Sequence, residues 1–143
     1  MQHRSCIVLI AAALTLAACD GGSGTAATGN PDLLPIPQIT SYSPLSYSFC
    51  TRDEAGLHVT VRNQGGSPAG PSVTRVDFGN AGGPFDIATA ALDPTDSVVL
   101  VQPIPAACFN PDCSFTISVN HTGTVDEGTG GDGNNDVGAS CIG

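Results

Sequence analysis

Leu57-His58-Val59-Thr60-Val61-Arg62-Asn63-Gln64-Gly65-Gly66 holds a complete strand and the turn that ends it. Leu57, Val59 and Val61 alternate with His58, Thr60 and Arg62, a period of two rather than 3.6. Successive side chains on a strand point to opposite faces, so one face of this segment is buried and the other is wet. Asn-Gln-Gly-Gly then supplies residues that turn the chain easily. Moving outward, Phe115, Ile117 and Val119 repeat the pattern against Ser114, Thr116 and Ser118. Val98-Val99-Leu100-Val101 is a continuous apolar strand, and Val73 to Phe78 is another. Turn signals separate them at Asn80-Ala81-Gly82-Gly83-Pro84 and Asp93-Pro94-Thr95-Asp96. Further segments near 32–39, 46–50, 85–91 and 137–142 complete the pattern. The expectation is an all-β fold, an antiparallel immunoglobulin-like sandwich of about seven strands.

Composition agrees. Gly (18) and Pro (11) are too frequent in 143 residues for a helical bundle. A chain that is 41% hydrophobic and 12% charged is too apolar for disorder. Four Lys+Arg, all of them Arg, stand against 13 Asp+Glu, for a net charge of −9. Nucleic-acid binding needs clustered cations, so that class of partner is excluded.

The first residues give an address. Met1 to Arg4 is weakly basic, and Cys6 to Ala18 is apolar and uncharged. That run is too short to span a bilayer but has the length of a signal-peptide core. It ends on Leu16-Ala17-Ala18-Cys19, which resembles the lipobox of bacterial lipoproteins. The resemblance implies cleavage before Cys19, a diacylglycerol on its thiol and anchoring in a bacterial membrane. More than one acyl chain on the residue makes such anchoring stable. Asp20 resembles the inner-membrane retention signal of some Gram-negative bacteria. Residues 1–18 are therefore expected to be signal peptide and 19–30 a lipidated, flexible tether. Residues 31–143 form the domain. Eleven tether residues at about 5–6 Å × √n hold the domain roughly 17–20 Å from the lipid head groups.

Removing Cys6 with the signal and Cys19 to lipid leaves Cys50, Cys108, Cys113 and Cys141. An even number in a small exported domain reads as two disulfides. Cys108 and Cys113 flank Phe109-Asn110-Pro111-Asp112, a turn-rich stretch, and Cys50 then pairs with Cys141 by elimination. A zinc site using His58 or His121 is the rival reading, but a single C-x4-C pair is poor metal spacing.

Pro31-Asp32-Leu33, then Leu57 to Gly65, then Ala69-Gly70 resembles the opening of a CARDB domain, a cell-adhesion-related immunoglobulin-like module of bacteria and archaea. Later stretches follow in the family's order. Ala91 to Ser97 is similar to a family turn, and Phe115 to Val119 to a family strand. Val125-Asp126-Glu127 with Asn134-Asn135 is similar to its V-x-E…N-N closing pattern. The four cysteines, the 103–113 loop and the glycines before Asn134 depart from the family. The resemblance implies a sandwich and, by the family's name, adhesion.

No G-x-S-x-G, H-E-x-x-H or P-loop occurs, and there is no Lys to act as base or nucleophile. His58 and His121 read as solvated surface histidines, so the chain is expected to be non-catalytic. Residues 126–136, DEGTGGDGNND, are the stretch that could bind a ligand. Asp126, Glu127, Asp132, Asn134 and Asp136 offer oxygen donors on a glycine-rich backbone, which suits a weak Ca²⁺ site. The alternative is a hairpin whose Asx residues bond their own backbone. Phe109, on a Pro-rich stapled loop, is a candidate partner-binding tip if exposed and a core residue if buried. The expected function is a membrane-anchored, exported lipoprotein that presents an interaction module to a protein or glycan. The alternatives are an accessory subunit of an envelope assembly, which could accept a partner strand at a sheet edge, or a periplasmic enzyme or inhibitor.

Overall fold

A computed structural model describes residues 29–39, 47–108 and 113–141. The expectations for the signal peptide, Cys19 and Phe109 lie outside the described residues. Among the described residues ten strands follow in order: β1 Leu33–Ile36, β2 Gln38–Ile39, β3 Tyr47–Ser48, β4 Arg52–Asp53, β5 Gly56–Asn63, β6 Ser72–Asp77, β7 Phe85–Thr89, β8 Ser97–Gln102, β9 Ser114–Ser118 and β10 Asp136–Ser140. Two antiparallel four-stranded sheets contain eight of them, and β2 with β3 makes a small separate ladder.

The Leu57–Asn63 segment is the centre of the first sheet. β8 runs along it from Leu57↔Gln102 to Arg62↔Ser97. Its other edge is shared, with β1 pairing residues 60–63 and β4 pairing residues 56–57. Only β4 has no counterpart among the expected strands. Its Arg52-Asp53 carries no apolar alternation, because this two-residue strand is exposed on both faces. The second sheet has the order β10-β9-β6-β7.

Alternation decides which side chains meet. Leu57, Val59 and Val61 turn inward from the first sheet, and Val76, Phe115 and Ile117 turn inward from the second. Phe78 packs on Phe115 with ring centroids 5.9 Å apart and on Phe85 at 6.2 Å. Such tilted and edge contacts match the aromatic quadrupole. β8 differs from its apolar reading: Leu100 is buried, but Val99 is 55% and Val101 43% exposed. The strand lies at the rim of a two-layer sandwich, so only one of its faces meets the core.

Candidate interaction site

One end of the sandwich is held by buried side-chain amides. Asn63, with no exposed surface, ends β5. Its Oδ1 accepts from the Asp32 N–H (3.1 Å) and the Gly65 N–H (3.0 Å). Its Nδ2 donates to the Ser67 carbonyl (2.8 Å) and the Leu92 carbonyl (3.0 Å). The segment entering β1 is thereby fixed to the 63–67 turn. The Gly66 N–H donates to the Asn30 carbonyl at 3.1 Å, and Ser67 Oγ donates to the Gly29 carbonyl. Gly29 and Asn30, placed in the tether by composition, are therefore held against the fold. Gly65 is required here, since a Cβ would run into the Asn30 and Pro31 backbone.

Glu127 forms the second hub. It is 5% exposed. Oε2 accepts from the Leu33 N–H (2.9 Å), and Oε1 accepts from Asn120 Nδ2 (2.7 Å) and Asn135 Nδ2 (3.0 Å). A buried carboxylate needs such donors to offset the loss of water. Asn120 sits at φ 50°, a left-handed conformation that Asn tolerates better than most residues. Its amide also clasps Val125 through both the Val125 N–H and carbonyl. Asn134 donates to Asp32 Oδ1 at 2.9 Å, and Gln64 donates to Asp32 Oδ2 at 2.8 Å. Asp32, Asn63, Gln64, Glu127, Asn134 and Asn135 thus converge on the start of β1.

This placement divides the five candidate calcium ligands. Both Glu127 oxygens face inward onto N–H donors. Asp126 Oδ1 accepts from the Gly128 N–H at 3.0 Å in a local Asx turn. Asp132 lies in a 3₁₀ turn, Gly131–Asn134, and Asp136 begins β10. Among the described residues no group of three or more His, Cys, Asp or Glu side chains is placed to hold a metal ion. Asp126 makes the Asx turn expected of the hairpin reading, and the 126–136 loop is pinned to the sandwich by Glu127 and Asn135.

Cys50 pairs with Cys141, with Cα atoms 5.3 Å apart, and Cys108 pairs with Cys113 at 4.8 Å. Cys50 stands just before β4 of the first sheet and Cys141 just after β10 of the second. The long bridge therefore staples the two layers together. β1 and β10 do not pair in one sheet but approach each other from opposite sheets. The Cys141 N–H donates to the Cys113 carbonyl at 3.3 Å, so both bridges meet at the end of β10.

Among the described residues, two polar side-chain pairs lie on the outer faces. Arg75 Nε and Nη2 donate to the two Asp86 oxygens at 2.7 and 2.8 Å. Hydrogen bonding to the guanidinium holds the Asp86 carboxyl below the usual carboxylate range and raises Arg75. His58 Nε2 lies 3.1 Å from Asp53 Oδ1. Asp53 is also lowered, first by the Ala55 N–H that it accepts at 2.8 Å and then by His58. His121 is exposed at the turn after β9.

An open concavity lies on the outer face of the second sheet. It is a trench of about 570 Å³ lined by Asp77, Ser114, Thr116, Gly138 and Ser140, among others. A smaller hollow of about 270 Å³ continues it past Ser118 and Asp136. Pairing register builds this surface. Gly138, Thr116 and Asp77 lie in one cross-strand row, and Asp136, Ser118, Arg75 and Asp86 in the next. Gly138 has no side chain to fill its row. The alternation in 114–119 marks Ser114, Thr116 and Ser118 as outward, but the register that sets Gly138 beside Thr116 is not written in any local pattern. The trench therefore could not be found from sequence. No protein-family model, curated protein or solved structure matches the chain.

Proposed function

We propose that this chain is an exported lipoprotein, anchored through Cys19, that presents a non-catalytic CARDB-like sandwich as an interaction module. The pair of disulfides carries the reading. Such bridges persist in oxidising compartments outside the cytoplasm, and two of them in a small domain fit an envelope protein. The lipobox-like Leu16 to Cys19 supplies the anchor, and the docking of Gly29 and Asn30 sets the point where a tether would leave the domain. The accessory-subunit reading is favoured by one observation, the unpaired side of β10 among the described residues.

The test is metabolic labelling of the full chain with a palmitate analogue in a lipoprotein-competent bacterium, followed by cross-linking in the intact envelope. The expected result is a labelled, membrane-sedimenting protein and a discrete cross-linked adduct, with the label lost in Cys19→Ser. An unlabelled protein that stays in the supernatant, or a wild-type protein without adducts, refutes the proposal.

A further inference from the structure

The outer side of β10 has the features of a strand acceptor. The Asn135 carbonyl accepts from the Val119 N–H at 2.9 Å, and the Cys141 N–H donates to the Cys113 carbonyl at 3.3 Å. Antiparallel ladders alternate bonded and non-bonded pairs, so with this register Val137 and Ala139 bond to β9. The N–H and carbonyl groups of Asp136, Gly138 and Ser140 then point away from β9, and all three residues are exposed. Among the described residues no strand takes up that side of β10. A row of open donors and acceptors is a template for another chain, and natural edges are usually blunted with charge, proline or a bulge. Here the edge carries one charge, Asp136, and no proline.

We infer that β10 accepts an extended segment of a partner protein, added as a further strand and carrying Lys or Arg at alternate positions. This rests on the interaction-module reading and names its surface and the chemistry of its partner. Main-chain bonds to Asp136, Gly138 and Ser140 supply the affinity common to strand addition, and the side chains supply specificity. The side chains that share the outer face stand directly beside Asp136, Gly138 and Ser140. A cation beside Asp136 meets a carboxylate that has no side-chain partner among the described residues. A long side chain beside Gly138 lies across the bare glycine toward Thr116, at the open edge of the 570 Å³ trench whose far side carries Asp77. Arg75, the cation of this face, is already held by Asp86 through two hydrogen bonds. A second copy of this chain fits badly, because each copy carries a net charge of −9 and would bring its own Asp136 to the joint.

The probes are acetyl-(Lys-Thr)4-amide and acetyl-(Glu-Thr)4-amide, titrated into the full chain purified in detergent with both disulfides formed. The lysine peptide is expected to bind at least tenfold more tightly than the glutamate peptide. Asp136→Lys should weaken it at least tenfold at unchanged melting temperature. Gly138→Pro removes a donor that β9 does not use and should weaken it as much. Gly138→Val keeps the inference testable if the proline disturbs the strand: a Cβ at Gly138 meets nothing within 4 Å, so valine narrows the trench and leaves the fold intact. It should cost at least fivefold. Absence of lysine-peptide binding, equal binding of both peptides, or variants that bind like wild type would overturn the inference. So would self-association by sedimentation that Gly138→Pro abolishes, since a second copy would then be the occupant. Envelope adducts that persist unchanged in Gly138→Pro overturn the β10 site but leave the interaction-module reading standing. A wild-type protein without adducts removes that reading itself.

Discussion

Asn63 uses both halves of its amide on four backbone groups, and all four belong to chain that must be held at the entry of β1 or beside it. Truncation takes that partner from the Asp32 and Gly65 N–H groups and the Ser67 carbonyl in a partly buried setting, while the Leu92 carbonyl keeps the Ala69 N–H. Asn63→Ala should therefore destabilise the protein by about 3 kcal/mol in urea unfolding, within the range for unsatisfied buried hydrogen-bonding groups. Asn63→Asp should cost at least as much, since it sets a carboxylate against the Ser67 and Leu92 carbonyls. A change below about 1 kcal/mol in either variant would show that water replaces the amide. The sequence marks Asn63 only as the first residue of a turn. Its buried role depends on Asp32 and Leu92, which lie 31 and 29 residues away. Glu127 was hidden in the same way. In the run DEGTGGDGNND it reads as one more oxygen donor for a cation, whereas its partners are the Leu33 backbone, Asn120 and Asn135.

Period-two alternation made β5 and β9 legible because each has one face in the core and one in water. The same rule is less informative for β8, whose alternate valines are apolar on the wet side as well. β4 could not be seen at all, since neither of its residues is buried. Pairing between strands is also silent in the sequence, and the Arg75–Asp86 contact on β6 and β7 is an example. Its pH dependence follows from the direction of the shift. The Asp86 carboxyl is depressed in the folded protein, so its stabilising contribution is present above the ordinary carboxylate value and is lost as pH falls through the depressed folded value. An NMR titration should place the Asp86 midpoint below that of an unstructured aspartate. Arg75→Gln should return it to the ordinary value, and a midpoint that does not move would assign the shift to another cause. Both side chains are reached by solvent, so the effect on stability is small and screened by salt.

Across the whole molecule the two disulfides differ in what they close. Cys50 and Cys141 are 91 residues apart and Cys108 and Cys113 only 5. In the chain-entropy account the long loop contributes about 4.6 kcal/mol and the short one about 2 kcal/mol. Cys50→Ser with Cys141→Ser should therefore melt well below Cys108→Ser with Cys113→Ser, and it should expose β10 to protease. Equal melting temperatures would mean that the long bridge adds nothing to the packing of the layers. The long bridge also has a mechanical side. A pull applied before residue 29 and resisted at β10 first meets the Asn63 and Glu127 contacts around β1. Once these give way, the chain pays out only as far as Cys50. From there the load crosses the Cys50–Cys141 bond to the end of β10, and the sandwich between the two cysteines carries no tension. The extensible length is that of roughly 20 residues, about 70 Å at full stretch. Force spectroscopy on the oxidised protein should show lengthening that stops short of that value by the folded distance between the ends of the segment, and reduction should release the rest of the fold. With the anchoring proposed above, this load path would make the chain a tether with a covalent stop, yielding over a short distance and then holding without unfolding the sandwich between the two cysteines.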